Sequence, residues 1–469
     1  MALRFSFYNT RSKKKELFVP QNDGSVTMYA CGPTVYDFVH IGNFRTYLFE
    51  DTLRRALSYS GYSVTFASNI TDVGHLTNDG DLGEDKIEIG ARQRDIEPLT
   101  IARTYEEHYW KDSARLNILP PDKVLRATES IPPQLDLISE LLNKGFAYIA
   151  NQAIYFDVSK YPDYGSLTGQ ELSQKRLAAR EGVVADSDKR NPSDFALWFF
   201  TVGRHSGHIL HWPSPWGDGF PGWHIECSAI SRELLGQPFD IHAGAEDLIP
   251  VHHTNEIAQS EAAYAVPLAH YWLHGSFLKV DGQRMGKSLG NGYTLDDLVT
   301  NGEDPLAFRY FTYIAHYRQT LNFTWESLGA ASHAYLKLVD VLFELKARGT
   351  DGHGNTEAYD TRFANAIADD LNMPAALTVV WALSRDENIS PIARYQTITA
   401  NYDRVLALSL ARKVALRAEI PDEIRALAEE RHALRLAKRW EDADEARDKL
   451  EKLGYEVRDT EHGPVILKM

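Results

Sequence analysis

A strand, a helix and a second strand follow one another near the start of the chain. Residues 25–30 (SVTMYA) have the composition of a buried strand. Apolar side chains at helical spacing predict a helix over residues 42–60, and residues 62–70 predict another strand. Two strands joined by one helix form a βαβ unit with a parallel sheet. Ligands bind beyond the carboxyl ends of such strands, where Cys31 and His40 are expected to lie.

The order of patterns along the chain predicts three parts. Residues 1–325 are predicted to form a Rossmann-like, nucleotide-binding α/β domain that carries an insertion at about 115–200. Helical periodicity predicts an α-helical bundle over residues 326–418, with a polar linker at 350–355. Residues 419–469 predict a small α/β tail, made of one long charged helix and a short strand pair.

Length, hydropathy and charge limit the class of protein. The chain has 469 residues, 43% of them hydrophobic, which is enough to bury a large core. We expect a cytoplasmic protein with no membrane partner, because no stretch approaches ~20 apolar residues and the N-terminus lacks a signal-peptide core. The net charge of −15 argues against non-specific coating of nucleic acid, but it leaves room for an RNA bound by local basic patches.

The segment PTVYDFVHIGN (33–43) places polar side chains where the first strand crosses to the helix. His40 and Asn43 can donate hydrogen bonds beside the helix N-terminus, where free N–H groups favour an anion. Gly42 lets a phosphate approach the backbone. The other interpretation of this motif alone is a histidine that only stabilises a turn.

A second motif, RMGKS at residues 284–288, precedes Leu-Gly-Asn. A glycine-containing loop with two cations suits a phosphate leaving group, and Lys287 can stabilise charge that develops in a transition state. A solvated basic loop without a catalytic role is the alternative for these residues alone.

A third group has the residue types of a metal site. His252 and Glu256 stand at i and i+4, on one helical face, whereas His253 is predicted to point elsewhere. The only two cysteines, Cys31 and Cys227, complete a tetrahedral set suited to zinc. Three alternatives stay open: a surface His/Glu pair, two unrelated buried thiols, and a disulfide, which a cytoplasm disfavours.

A basic cluster lies in the tail. Arg431, Arg435, Lys438 and Arg439 fall at helical spacing with no acid among them, and Trp440 follows. The cluster predicts a phosphate-facing stripe with an aromatic ring for base stacking. A solvated helix face is the other interpretation.

These motifs together resemble class I aminoacyl-tRNA synthetases, and within that class the cysteinyl-tRNA synthetase family. PTVYDFVHIGN is similar to the HIGH region, and RMGKS to the KMSKS loop. More specific matches are KRNPSDFALWFF (189–200), SPWGDGFPGWHIECSAIS (214–231) and HHTNEIAQS (252–260). CGPTVYD, HYRQTLNFT and the tail RLAKRWEDADEARDKLEKLGYEVRD match in the same order, so the resemblance covers nearly the whole chain.

The resemblance implies ATP-dependent activation of L-cysteine to cysteinyl-adenylate and its transfer to the 3′ end of tRNA(Cys). It implies one Zn²⁺ per chain as cofactor, ATP with Mg²⁺ as co-substrate, and a monomer. It further implies that residues 280–325 contact the tRNA stem, that residues 326–418 bind the anticodon stem, and that residues 419–469 bind the anticodon.

The family pattern also implies roles for individual residues. The implied zinc ligands are Cys31, Cys227, His252 and Glu256. The residues implied to line the cysteine pocket are Cys31, Thr71 and Trp223. The residues implied to bind ATP are His40, Asn43, Gly244, Asp247 and Lys287, of which His40, Asn43 and Lys287 are the catalytic ones.

The chain departs from the family pattern at several positions. Asn43 stands where the signature has a second histidine; it keeps a donor but cannot carry charge. Arg284 and Gly286 replace the first lysine and first serine of KMSKS. Ala243 and Ala245 stand where glycines are usual, in the segment implied to hold the adenosine.

Two rival functions share parts of this pattern. A cysteine ligase of the mycothiol pathway resembles the catalytic domain and its zinc site but lacks an anticodon-binding tail, so the segment after Pro421 argues against it. A non-catalytic tRNA-binding paralogue should have lost His40, Lys287 or a zinc ligand, and this chain keeps all of them.

Overall fold

The computed structural model describes residues 3–77, 81, 83–169, 188–286, 289–349, 354–460 and 463–468. Its strands are β1 (Ser6–Asn9), β2 (Lys14–Leu17), β3 (Ser25–Ala30), β4 (Ser63–Ile70), β5 (Lys123–Arg126), β6 (Ala147–Ile149), β7 (Ala153–Phe156), β8 (Phe195–Phe200), β9 (Gly219–Pro221), β10 (Phe239–Ala245), β11 (Ala269–Gly275), β12 (Leu278–Val280), β13 (Gln283–Arg284), β14 (Leu321–Phe323), β15 (Tyr455–Thr460) and β16 (Gly463–Lys468). Its α-helices are α1 (Ile41–Tyr59), α2 (Lys86–Arg94), α3 (Pro98–Arg115), α4 (Ile131–Asn143), α5 (Trp223–Leu235), α6 (Thr254–Tyr264), α7 (Leu295–Thr300), α8 (Pro305–Thr312), α9 (Trp325–Arg348), α10 (Glu357–Ala368), α11 (Met373–Arg385), α12 (Pro391–Gln396), α13 (Asp403–Leu406), α14 (Leu410–Ala418), α15 (Asp422–Leu436) and α16 (Trp440–Lys452).

Five parallel strands form the central sheet, in the order β11-β10-β3-β4-β5. The strands β3 and β4 pair from Ser25 opposite Ser63 to Ala30 opposite Ser68, with α1 between them in the chain. The predicted βαβ unit and the Rossmann-like class are therefore confirmed. The strand β3 has β4 on one side and β10 on the other, so the strand order reverses at β3. In open α/β sheets this reversal leaves a crevice at the carboxyl ends of the strands.

The helix α1 covers this sheet because its apolar residues recur at helical spacing. Phe44, Leu48, Leu53 and Leu57 are fully buried, and the helix begins and ends within one residue of its predicted bounds. Burying this face against the sheet holds the first turn of α1 beside the end of β3.

A second sheet lies within the predicted insertion. Its four antiparallel strands have the order β6-β7-β8-β9, and β8 is buried along its whole length. The strand β5 also falls within the predicted insertion, but it pairs with β4 as the edge strand of the central sheet. Residues 182–187 of the predicted polar loop lie outside the described residues.

Helices α9 to α14 follow the sheet domain and share its main hydrophobic core through buried residues such as Leu338, Leu342 and Val380. The predicted polar linker is described only at residues 354–355. No helix in the described ranges combines the length and the apolar composition that crossing a membrane requires.

The tail differs from its prediction. One long charged helix was predicted, but the chain forms α15 and α16, separated at Lys438, which adopts a left-handed backbone with φ 59°. The break lets the two helices fold against each other and bury Ile424 and Leu450 in one small core, which a single straight helix could not do. The predicted strand pair is present as β15 and β16, which are antiparallel.

Candidate active site and metal centre

Four potential metal ligands converge at the carboxyl edge of the central sheet. Cys31 directly follows β3, and Cys227 lies on α5. His252 lies in a wide π-helical turn, Ile249–His253, and Glu256 in the first turn of α6. One ligand atom from each of the four residues lies within 4.8 Å of all the others. The fold thus assembles residues that are 225 positions apart in the chain.

The separations fit a single small ion. His252 Nε2 lies 3.4 Å from Cys227 Sγ and 3.1 Å from Glu256 Oε1. Cys31 Sγ lies 3.6 Å from the same Glu256 oxygen. Ligands ~2.0–2.3 Å from a tetrahedral zinc are about 3.3–3.8 Å apart. Two thiols, an imidazole and a carboxylate are also the donor types that zinc prefers, so the residues fit the ion.

Two further histidines orient these ligands. His224 Nδ1 lies 3.0 Å from His252 Nδ1, and His242 Nε2 lies 2.9 Å from Glu256 Oε2. All four side chains are buried. Hydrogen bonds from outside the ligand set fix the rotamer and tautomer of metal ligands. The ligand atoms are therefore held in place before an ion arrives.

His253 was predicted to point elsewhere, and this prediction was wrong. Its side chain is buried, with Nε2 at 3.6 Å from Cys31 Sγ and 3.8 Å from Glu256 Oε1. Residues at i and i+3 also share a helical face, which the i, i+4 argument left out. A second potential ligand set, Cys31, His242, His253 and Glu256, overlaps the first. The set with two thiols is the better zinc site because thiolates are zinc's soft ligands.

Burial sets the protonation of these ligands. It raises the pKa of the Cys31 thiol well above its ordinary value, and the neighbouring Cys227 adds to the effect. Burial also lowers the pKa of His252, and the surrounding histidines lower it further. Without an ion the thiols are protonated and the imidazole is neutral, so the cluster contains no excess positive charge. A bound divalent cation changes the protonation of the thiols, because a thiol that coordinates the metal loses its proton.

Trp223 stands beside the metal ligand His252, and Thr71 is bonded to the helix that carries Cys227. Trp223 precedes Cys227 by four residues on α5, so both face the same side. Its ring lies 4.4 Å from that of His252 and stacks on His75 at 4.2 Å. Thr71 follows the end of β4 and is buried. The structure therefore brings Trp223 to the metal cluster and links Thr71 to α5, the helix that carries Cys227.

A buried hydrogen-bond network behind Thr71 was missed from the sequence. The Thr71 hydroxyl donates to Glu226 Oε2 at 2.8 Å and accepts from Asn69 Nδ2 at 3.0 Å. Asn69 Oδ1 accepts the N–H of Gly32, next to Cys31. Burial raises the pKa of Glu226 well above its usual value. Two features of the sequence could have indicated this network: Asn69 lies near the end of an apolar strand, and Glu226 is an acid beside Cys227 in a buried helix.

His40 and Asn43 lie at the start of α1. His40 is the N-cap residue, and its Nδ1 accepts the backbone N–H of Asn43 at 3.2 Å. The side chain of Asn43 is exposed. A Cβ at Gly42 would lie 3.0 Å from both the His40 ring and Met285 Sδ, so the close approach of these side chains favours glycine. The helix start is therefore capped by His40 and carries polar side chains at the positive end of the helix dipole.

The RMGKS loop begins and ends beside that helix start. The N–H of Ile41 donates to the Tyr293 carbonyl at 2.8 Å, and Met285 joins the main core. Asn291 accepts the Gly286 N–H through Oδ1 and donates to the Arg284 carbonyl through Nδ2. These bonds tie the two ends of the loop together. Lys287 itself lies outside the described residues.

Gly244 and Asp247 mark the end of β10, next to β3 in the sheet. A Cβ at Gly244 would lie 2.7 Å from the His253 ring, so the packing of that ring requires the missing side chain. Asp247 is exposed in the short turn Glu246–Leu248. Ala243, where the family pattern has glycine, is fully buried within the strand.

Comparison with known proteins agrees with this geometry. Residues 17–333 match the family model described as "tRNA synthetases class I (C) catalytic domain". The chain is 44% identical over 466 residues to cysteine–tRNA ligase 1 of Burkholderia lata, covering 99% of this chain and 97% of that protein. It is 41% identical over 477 residues to the cysteine–tRNA ligase of Chlamydia caviae, covering 98% and 97%.

Solved structures share the fold at low identity. Mycobacterium tuberculosis methionyl-tRNA synthetase bound by methionyl-adenylate matches with a TM-score of 0.59 and 14% identity, covering 85% of this chain and 95% of that one. The agnB2 LeuRS of Agrobacterium radiobacter K84, in a ternary complex, matches with a TM-score of 0.60 and 12% identity, covering 85% and 86%. Since the family model spans most of the catalytic part and the relatives match end to end, the chain belongs to the cysteine–tRNA ligase family of class I tRNA synthetases.

Proposed function

We propose that this chain activates L-cysteine with ATP and transfers it to tRNA(Cys), and that Cys31, Cys227, His252 and Glu256 hold one zinc ion for the substrate thiol. The observation that carries the proposal is the convergence of these four side chains at the carboxyl edge of the sheet, with separations that suit one ion. A zinc ion there supplies a soft Lewis acid that binds sulfur and favours the thiolate.

The open side of the metal centre faces Cys31. Cys227, His252 and Glu256 are buried, whereas Cys31 is partly exposed. Among the four described ligands Cys31 is the most exposed, so the substrate is placed on its side. Trp223 would form one wall for the cysteine, and the hydroxyl of Thr71 would meet its polar end. The network through Asn69 and Glu226 holds Thr71 in one rotamer, so the pocket is preorganised.

The phosphates of ATP, with Mg²⁺, would lie at the first turn of α1. His40 and Asn43 stand at this helix end, where the positive end of the helix dipole favours an anion. Gly244 and Asp247, at the end of β10, would contact the adenosine. We assign Lys287 to the pyrophosphate leaving group, because its loop is tied at both ends beside α1.

Selection of cysteine over serine needs more than shape, because serine is smaller and fits any pocket that admits cysteine. A size difference of this kind is worth only about 10–200-fold. A thiol with a pKa near ~8.5 ionises on a metal far more readily than a hydroxyl does. The proposed site therefore discriminates by sulfur chemistry, and no separate editing site is required.

Cobalt substitution tests the proposed function. The purified protein is expected to contain about one zinc per chain. After exchange of zinc for cobalt, cysteine should add a sulfur charge-transfer band and shift the d–d spectrum, because its sulfur binds the metal. Serine is the matched control and should change neither feature.

Three results would contradict the proposal. A cobalt spectrum that cysteine leaves unchanged would show that discrimination does not involve the metal. Rapid deacylation of preformed Ser-tRNA bearing the cysteine anticodon would show that an editing site exists. A chain that forms cysteinyl-adenylate but transfers cysteine to an amino-sugar instead of tRNA would belong to the rival mycothiol function.

The tail after Pro421 is proposed to bind the anticodon, while residues 280–325 contact the tRNA stem and residues 326–418 the anticodon stem. The tail has its own small core, around Ile424 and Leu450. Its basic surface differs from the predicted stripe, because Arg431 is only 3% exposed. The guanidinium of Arg435 lies 5.5 Å from the centre of the Trp440 ring, which is 54% exposed, so these two residues form the candidate surface for base stacking.

Removal of the tail should separate tRNA binding from cysteine activation. Truncation before Asp422 is expected to leave ATP–pyrophosphate exchange largely intact and to raise the KM for tRNA at least tenfold, since one stacked base contributes ~1–3 kcal/mol. Trp440→Ala should raise the KM for tRNA alone, whereas Leu453→Ala, at a similarly exposed apolar position, should not. An unchanged KM for tRNA in the truncated protein would refute the assignment.

A further inference from the structure

A cavity of about 310 Å³ lies between α1, α3, β4 and the turn at 118–121. None of the residues assigned above to zinc, cysteine, ATP or tRNA lines it. Three aromatic side chains, Tyr47, Tyr109 and Trp110, form much of its wall. The Tyr47 and Tyr109 rings meet edge to face at 5.3 Å, and Trp110 follows at 4.7 Å from Tyr109.

Glu50 lines the same cavity and has no visible partner. Its side chain is 4% exposed, and Oε1 has no hydrogen bond to any described residue. A buried polar group left without a partner costs about 1–3 kcal/mol. Burial also raises the pKa of Glu50 well above its usual value, and no described group opposes the shift. A donor from outside the described residues can therefore bind this carboxyl.

The other charged groups at the cavity are already paired. Asp51 accepts from Arg55 Nε at 2.7 Å and also from Arg309 and the Leu119 N–H. Arg54 donates to the Pro120 carbonyl at 2.6 Å and to Asp122 at 2.8 Å. Glu50 is thus the one acid at this cavity that has no partner among the described residues.

A cavity of this size has room for about ten waters at ~30 Å³ each. Water can bond Glu50, Ser68 and Ser113, but the aromatic part of the wall offers it no strong hydrogen-bond acceptor. A flat apolar body can instead stack on the rings, and a cationic donor on that body can bond the Glu50 carboxylate. One molecule with both features can donate a hydrogen bond to the Glu50 carboxyl and also pack against the aromatic wall.

We propose that this cavity is a binding site for a small aromatic cation, with an ammonium or amidinium group on Glu50 and its flat body against Tyr47, Tyr109 and Trp110. The described residues that line the cavity differ from those assigned to zinc, cysteine, ATP and tRNA, so the proposal does not depend on the proposed function. A ligand bound between α1 and α3 would contact α1, the helix whose N-terminal end carries His40 and Asn43.

Benzamidine is the probe, and benzamide, its neutral isostere, is the matched ligand control. Binding to the full-length protein is measured by calorimetry. Benzamidine is expected to bind at least tenfold more tightly than benzamide, because charge-assisted hydrogen bonds are worth about twice neutral ones. Glu50→Gln should reduce benzamidine affinity about tenfold, whereas Glu107→Gln, an exposed acid on α3, should leave it unchanged. Crystals soaked in benzamidine should show the molecule against Glu50.

Three results would overturn the proposal: equal affinity for benzamidine and benzamide, unchanged benzamidine affinity in Glu50→Gln, or soaked crystals with only water in the cavity. The comparison of the two ligands and the soak use the unmodified protein, so they decide the matter even where Glu50→Gln folds poorly. Aminoacylation is measured separately, so failure of this site and failure of the proposed function give different results.

Discussion

Replacing Cys227 with serine is expected to remove the bound zinc and to slow cysteine-dependent ATP–pyrophosphate exchange by at least about a hundredfold. Loss of a group that merely orients a metal ligand costs 10–100-fold in affinity or activity, and a direct ligand should cost at least as much. The Cys227 thiol is fully buried and 3.4 Å from His252 Nε2, and the harder serine hydroxyl is a poorer zinc ligand. Elemental analysis gives the zinc content, and isotope exchange gives the rate.

A matched control separates loss of the metal from loss of packing. Ser231 lies one helical turn beyond Cys227 on α5 and is also fully buried, but it is outside the ligand set. Ser231→Ala should therefore retain zinc and exchange within about twofold of the parent protein. Normal exchange by zinc-free Cys227→Ser protein would show that the metal centre does not serve cysteine activation.

Replacing Lys287 with alanine is expected to slow ATP–pyrophosphate exchange by about a hundredfold or more, with little change in cysteine affinity. A preorganised cation that meets charge developing on the phosphates contributes mainly to the transition state, so kcat should fall while the KM for cysteine stays constant. The ends of the loop are tied by Asn291 and lie beside the first turn of α1, where His40 caps the helix.

Lys279→Ala is the charge-matched control, because Lys279 is exposed on β12, shortly before the same loop. Its exchange rate should match that of the parent protein. Asn291→Ala removes both bonds at the base of the loop and should slow exchange less than Lys287→Ala does, since the cation remains but is held less firmly. Unchanged exchange in Lys287→Ala would show that the loop is only a basic surface segment.

The sequence by itself determined the elements whose pattern is local. The βαβ unit followed from period-3.6 and strand patterns, and the observed helix begins and ends within one residue of its predicted bounds. The choice of Cys31, Cys227, His252 and Glu256 rested on residue chemistry and on the family resemblance. These inferences need no knowledge of which distant segments meet.

The tertiary structure decided what depends on contacts between distant segments. His253 joins the metal cluster because it packs against His242 of β10 and His274 of β11. Glu226 takes part in the site because Thr71, at the end of β4, donates a hydrogen bond to it. The tail helix breaks at Lys438 because folding back buries more apolar surface than one exposed helix would. The sequence shows Glu50 only as one residue of a predicted helix. Its burial at a cavity results from the packing of α3 against α1. Local periodicity reports which face of an element is apolar, but burial and hydrogen-bond partners are set by segments far away in the chain, so these features become visible only in the folded molecule.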